Sequence, residues 1–281
     1  MVAAVLPLPR KKRVLPGFGL TMGITLLFIG IVILLPLAGL VLKAAGLGAA
    51  EFWALATSER AVAAYRVTLQ AAFGAATFNL FFGLLLAWIL VRYSFPGRTL
   101  LDAAIDLPFA LPTAVAGLAL SGLFASNGWY GRLLEPLGLQ VSYTVLGIGV
   151  AMAFTTLPFV VRSVQPVLED MEPELEEAAE TLGASGWQTF RRVILPAVLP
   201  ALLSGFVLSL ARGLGEFGAV IFIAGNMPYE TEIVSLLIMI RLEEYDYASA
   251  AALAGVMLAA AFVLLIGASF IQSYLARHSR K

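Results

Sequence analysis

Cysteine is absent from the 281 residues, and histidine occurs once, as His278. The first absence excludes disulfides, thiolate metal sites, iron–sulfur ligation and thiol catalysis. The second excludes a His-based triad, an HExxH zinc site and haem held by histidine. Charge is scarce as well: Asp, Glu, Lys and Arg make up 13% of the chain, against about 25% in soluble domains. The 18 basic and 18 acidic side chains cancel, and the basic ones are scattered, so there is no footprint for nucleic acid. No GxxxxGK[ST] phosphate loop occurs. What abounds is apolar surface, with 60% hydrophobic residues and a mean hydropathy of +0.91. Too few polar groups remain to cover a soluble domain of this size. The composition is that of an all-α, polytopic membrane protein.

A helix needs about 20 apolar residues to cross the hydrocarbon core. Six stretches qualify: residues 20–42, 67–91, 103–125, 145–161, 198–224 and 248–275. Arg10, Lys11, Lys12 and Arg13 precede the first, as they would in a signal peptide. A cleaved signal, however, has an apolar region of only about 7–15 residues, so an uncleaved first helix is expected. Orientation follows from the basic residues. With the N-terminus in the cytoplasm, 12 of the 18 fall inside, five fall outside (Lys43, Arg60, Arg66, Arg132 and Arg241), and Arg212 lies within a span. Both termini are therefore expected in the cytoplasm, which requires an even number of spans. The expected organisation is a cytoplasmic segment 1–19, a six-helix domain 20–275 and a cytoplasmic tail 276–281. Pro108, Pro112, Pro158 and Pro200, with Gly205, Gly213, Gly215 and Gly218, mark spans three to five as bent or interrupted. Their clustering suits helices that line a pathway.

The connection 163–197 is longer than a usual connector. It opens on Glu169, Asp170, Glu172, Glu174, Glu176, Glu177 and Glu180. Pro173 suits the first turn of a helix, and acids there complement its dipole. Leu175, Ala178, Ala179 and Leu182 then fall at spacings of three and four. Gly183 can end that helix in a left-handed conformation. A second amphipathic segment follows, with Trp187, Phe190, Val193 and Ile194 apolar and Arg191 and Arg192 between them. Pro196 is read as the start of the fifth span. The expectation is a helix, a glycine turn and a second helix at the membrane surface.

Glu177-Ala178-Ala179, Gly183 and Val193-Ile194-Leu195-Pro196 together resemble the EAA-x3-G-x9-I-x-L-P loop of ABC importer permeases, with Val193 in place of the isoleucine. The resemblance implies a type I ABC importer permease fold of six transmembrane helices, in the inner membrane of a bacterium. It implies that the loop is a coupling helix docking into a separate ATPase subunit, with Glu177, Ala178, Ala179, Gly183, Leu195 and Pro196 at that junction. This chain would bind no cofactor, and ATP and Mg would belong to the partner. The runs Leu157-to-Pro166, Gly215-Glu216-Phe217-Gly218-Ala219-Val220 and Ile223-to-Pro228 are similar to the oxyanion branch of these permeases, and Thr231-Glu232-Ile233 and Glu243-to-Ala248 are more similar to the T-type subunit of its sulfate/thiosulfate members than to the molybdate permease. Arg13-to-Gly19 also resembles the sulfate type. Implied partners are two ATP-binding subunits, a second permease (W-type, or another copy of this chain), a periplasmic sulfate/thiosulfate-binding protein and membrane lipid. A molybdate or tungstate permease is the alternative, sharing fold and mechanism. An ion-coupled secondary transporter would leave the loop motif unexplained, and no internal repeat supports it.

Arg212 and Glu216 stand four apart, and each alone would cost about 2.5–3.5 kcal/mol at mid-membrane. As a pair they could neutralise one another, either as a structural ion pair or as part of a pathway or gate with Gly215 and Asn226. Asn226 sits in a Gly-Asn-Met-Pro sequence that suits a turn. Asp106 is expected to cap a kinked helix or to pair with an arginine.

Overall fold

Prolines and glycines set where the helices of this chain run straight and where they break. The computed structural model describes residues 18–278, and side chains as far as 270 except at 268. The basic run at 10–13, the stretch 13–17 and the last residues of the tail therefore lie outside the described residues. Helix α1 (Phe18–Ala45) contains a wider turn over Ile29–Leu34, directly before Pro36. Leu35 there donates five residues back, to Gly30. A wider turn of this kind absorbs the donor that a proline lacks. After α2 (Ala49–Ala56), helix α3 (Glu59–Arg92) runs for 34 residues with no proline at all. Helix α6 (Val145–Glu169) extends well past the expected end at 161, with Pro158 and Pro166 inside it.

Two expectations are corrected. The third span, read as 103–125, is not one helix. It is α4 (Arg98–Ile105), a single turn Leu107–Ala110 and α5 (Thr113–Phe124). Pro108 and Pro112 supply no amide hydrogens, so the ladder fails at both places. Among the described residues five helices are long and apolar enough to cross a membrane, and the expected third crossing is in pieces. The connection 163–197 is also shorter than read. Residues 163–169 belong to α6, then come α7 (Pro173–Thr181) and α8 (Gly186–Leu214). Pro196 starts nothing: α8 passes through it by a second wider turn, Phe190–Ile194, in which Leu195 donates to Phe190. The second amphipathic segment is thus the first part of the fifth span. Helices α9 (Val234–Glu243) and α10 (Tyr247–His278) complete the chain.

Helices α3, α6 and α8 pack on one another and form the centre, while α10 packs on α8 and α9 and also on α1 and α2. Small residues permit the close approach. Val160 of α6 is wedged between two glycines. A Cβ on Gly83 of α3 would lie 2.8 Å from its Cγ1, and one on Gly205 of α8 would lie 2.8 Å from its Cα. The second clash is with backbone, which cannot rotate away. Gly205→Ala is expected to lower stability by about 1–3 kcal/mol, as overpacking does, and Gly83→Ala by less. The thermal midpoint of the purified protein in lipid nanodiscs checks this, and an unchanged midpoint for Gly205→Ala would mean that α6 and α8 part freely.

Candidate coupling loop and translocation site

The hairpin between α6 and α8 is closed by backbone geometry. Glu172 is extended before α7, Pro173 opens the helix, and Glu174 and Glu176 stand in the first turn. At the far end Gly183 has φ +81°. Its amide donates to Glu180 O at 2.8 Å, and the Ala184 amide donates to Ala179 O at 3.0 Å. This crossed pair is a Schellman closure, which requires a left-handed residue at Gly183. Ser185 then caps α8: its hydroxyl accepts from Gln188 N, and Gln188 Oε1 accepts from Ser185 N at 2.8 Å.

This hairpin leaves its apolar face uncovered. Leu182 is 88% exposed, and Leu175, Trp187, Glu177, Ala178 and Gly183 are exposed too. Ala179 and Leu195 are half-buried and Pro196 is exposed. A Cβ on Gly183 would meet nothing within 4 Å. The expected coupling residues therefore fall into two groups, Glu177 to Gly183 on the hairpin, and Leu195 with Pro196 on the shaft of α8.

The end of α8 departs from expectation. The fifth span, read as 198–224, stops at Leu214. The Glu216 amide turns back to Gly213 O at 3.0 Å. Its carboxylate accepts from Ala219 N at 3.1 Å, and its carbonyl accepts from the Ser235 hydroxyl at 2.8 Å. The chain then folds inward. Ala219, Val220, Ile223 and Ala224 are fully buried, and a turn Val220–Ile223 packs on α5 and α6. Gly117 permits this, since a Cβ there would lie 2.2 Å from Ala219 O. Irregular backbone at membrane depth is stable only when buried in protein or lining a cavity, and here protein encloses it.

Arg212 and Glu216 do pair, at 2.6 Å, with Glu216 1% and Arg212 38% exposed. Glu216 lies beyond the helix, so the contact bridges its broken end. Asn226 is elsewhere. It follows Gly225 in a turn where both have positive φ, and its side chain donates to Ile221 O at 3.2 Å. That turn is held to the α5–α6 connection by Tyr143 N donating to Ile223 O at 2.7 Å. The structure thus gathers Arg212, Gly215 and Glu216 and leaves Asn226 in a separate turn. An apolar cleft of about 830 Å³ between α3, α5 and α6 is lined by none of the four.

Asp106 is paired as expected. Arg162 of α6 spends all five of its N–H groups: on Asp106 Oδ1 and Oδ2 at 2.9 and 2.6 Å, on Asp102 Oδ1 and its carbonyl at 2.6 and 3.0 Å, and on Gln165 at 2.6 Å. The broken third span is fastened to α6 by this clamp.

Three contacts were not foreseen. Asn79, fully buried on α3, donates to Ala153 O at 3.0 Å and Thr156 Oγ1 at 2.9 Å on α6, and Ser209 of α8 donates to the same Thr156 oxygen at 2.8 Å. Arg60 donates twice to the buried Glu232, at 2.9 and 2.7 Å. Arg92 donates to Glu176 of α7. Polar residues inside apolar runs mark Asn79, Thr156 and Ser209 in the sequence, but no spacing rule joins residues 84 or 172 apart.

Residues 79–281 match the family described as binding-protein-dependent transport system inner membrane component. The chain is 58% identical over 267 residues to the sulfate transport system permease protein CysT of Escherichia coli K12, covering 95% of this chain and 96% of that one. It is 44% identical to the protein of the same name in Synechocystis, over 91% of this chain and 90% of the other. Among solved structures, a bacterial alginate ABC transporter in complex with its periplasmic protein superimposes with a TM-score of 0.74 at 23% identity, over 89% and 91% of the two chains. The MetNI methionine ABC transporter does so at 0.57 and 17%, over 78% and 99%. These two likenesses concern the fold.

Proposed function

The chain belongs to the binding-protein-dependent transport family of inner-membrane components, and we propose that it is the T-type permease of a sulfate/thiosulfate importer. It is a transporter subunit and not an enzyme, and ATP is hydrolysed by a separate subunit. Such permeases work with an ATPase and a binding protein. Two ATP-binding subunits, a second permease (W-type or another copy) and a periplasmic sulfate/thiosulfate-binding protein complete the proposed assembly. ATP and Mg bind the ATPase subunits only. Both termini face the cytoplasm, as the distribution of basic residues argues, and the broken stretch from α4 to α5 makes the sixth crossing.

The observation that carries the reading is the exposed hairpin closed at Gly183, in a chain 58% identical to a sulfate permease. A helix with bare Leu175, Ala178 and Leu182 at its surface needs a partner to cover it. Glu177, Ala178, Ala179 and Gly183 meet the ATPase, and Leu195 and Pro196 hold the shaft that the hairpin moves. At the opposite end of α8, Arg212, Gly215 and Glu216 form a gate at the helix break, and Asn226 fixes a separate turn further along the same loop. Arg212 is already neutralised by Glu216, so it does not offer a dianion a tight site. A passage that must release its ion should not bind it strongly, so selectivity lies mainly with the binding protein.

The test is uptake of labelled sulfate by cells that lack their own T-type subunit but retain the other components. Expression of this chain is expected to restore uptake, with unlabelled thiosulfate competing and molybdate not. If correctly inserted chain, co-expressed with the subunits encoded beside it, restores molybdate uptake instead, the substrate reading is wrong and the fold and coupling readings stand.

A further inference from the structure

Unlike α1, α6 and α8, helix α3 has neither a proline nor a wider turn along its 34 residues. At 1.5 Å per residue it is about 50 Å long, more than the hydrocarbon core of about 30 Å. Both of its ends are tied by an arginine. In its first turn, Arg60 grips both carboxylate oxygens of Glu232, which is 1% exposed and stands at the end of the buried segment after α8. Two residues after Glu232, the Val234 amide donates to Thr68 Oγ1 of α3 at 2.9 Å. At the last residue of α3, Arg92 pairs with Glu176 of α7. Midway, Asn79 holds α6 and α8.

The Arg92 end is built as a seat for the hairpin. Among the described residues, the bond that Glu176 accepts from Arg92 is the one side-chain hydrogen bond that α7 makes to another element. The Arg92 guanidinium lies 5.7 Å from the Trp88 ring centre. Trp88 meets Phe190 edge-on at 5.9 Å, and Phe190 stacks on Trp187 at 5.5 Å, both at the base of α8. Arg92 Nε and Thr189 Oγ1 are buried there without partners. Unpaired buried polar atoms cost free energy, so this conformation leaves bonds that a shift of α7 can make.

We infer that α3 is the rod that carries movement of the coupling helix across the membrane, with Glu176–Arg92 as its inner linkage and Arg60–Glu232 as its outer one. The inference rests on reading α7 as the coupling helix. Helix α8 is joined to α7 by the chain itself, but its wider turn, Pro196 and Pro200 let it bend, and it ends at Leu214 before the outer loop. An unbroken helix passes an axial push from end to end, whereas a kinked one absorbs it. Through Glu232 the push reaches the loop that contains Glu216 and Asn226. Arg92, Glu176, Arg60 and Glu232 are on this account positioning residues, remote from the anion.

The experiment uses the complete complex in lipid vesicles and measures labelled sulfate uptake per ATP hydrolysed. Glu176→Gln and Glu232→Gln are each expected to leave the ATPase subunit co-purifying and basal hydrolysis intact. Each is expected to lower uptake per ATP by about tenfold, within the 0.5–2 kcal/mol that coupling links carry. Linkages in series predict that the double variant is no worse than the poorer single one, whereas independent structural damage would multiply. The reversed pair Arg92→Glu with Glu176→Arg should recover most of the ratio. Multiplied losses, unchanged uptake per ATP in both single variants, or a reversed pair that recovers nothing would each overturn the rod. Loss of the ATPase from Glu176→Gln would also overturn it, by placing Glu176 in the docking surface. Failure of the coupling reading itself shows separately, as an unmodified chain that never co-purifies with an ATPase.

Discussion

Gly183→Asp is expected to reduce ATP-driven uptake to background while leaving membrane insertion intact. The residue lies at φ +81°, where an L-residue pays about 1–2 kcal/mol and Asp or Asn less. In the isolated chain that cost is small, because a Cβ would enter open space. No core contact is touched, so the spans fold. In the proposed assembly the same open space is the surface on which the ATPase seats. There the new side chain meets the partner and adds a negative charge beside Glu177 and Glu180. Gly183→Val gives the same loss by bulk and backbone strain. Gly183→Asn has nearly the shape of Asp without its charge and tolerates the left-handed region, so it should retain more uptake than either. Insertion is read by protease accessibility of the hairpin in vesicles, and docking by co-purification with the ATPase. Normal uptake by Gly183→Asp would remove this hairpin from the coupling role.

The parts of this molecule that depend on local pattern were legible in the sequence. The apolar runs located α1, α3, α6 and α10, because a helix facing lipid must be apolar over its whole crossing. Pro173 and Gly183 marked the two ends of α7 correctly, since each acts through its own backbone. Pro108 and Pro112 announced interruption of the third span, although not that it would divide into separate helices. Hydropathy could not find the end of α8. Residues 215–224 are as apolar as a span because Ala219, Val220, Ile223 and Ala224 are buried in protein, and burial of a loop resembles burial of a helix in composition. Pro196 misled for the opposite reason: a proline usually bounds a helix, but here the turn Phe190–Ile194 accommodates it. The ties of α3 to Glu176 and Glu232 were invisible because they form only when distant segments meet.

Arg212→Ala is expected to be the most damaging single change at the broken end of α8, and its asymmetry with Glu216→Gln shows what the pair does. Removing the arginine strands a carboxylate that is 1% exposed. Breaking a buried pair in this way costs about 3–5 kcal/mol, with the lower figure apt here because Arg212 is 38% exposed and already partly hydrated. Glu216→Gln is milder. The amide oxygen can still accept from Ala219 N, and the cation left behind can be reached by water. Arg212→Leu with Glu216→Gln removes both charges and keeps that acceptor, so stability should return close to the starting value. Uptake should not return with it. A gate at the Gly215 break needs a contact that can open and re-form, and Leu beside Gln offers no such exchange of partners. Thermal midpoints in nanodiscs, set beside labelled sulfate uptake for the three variants, separate the two roles. A double variant that regains both stability and full uptake would reduce the pair to a fastening of the helix end. One that regains stability alone assigns its charge to the transport cycle.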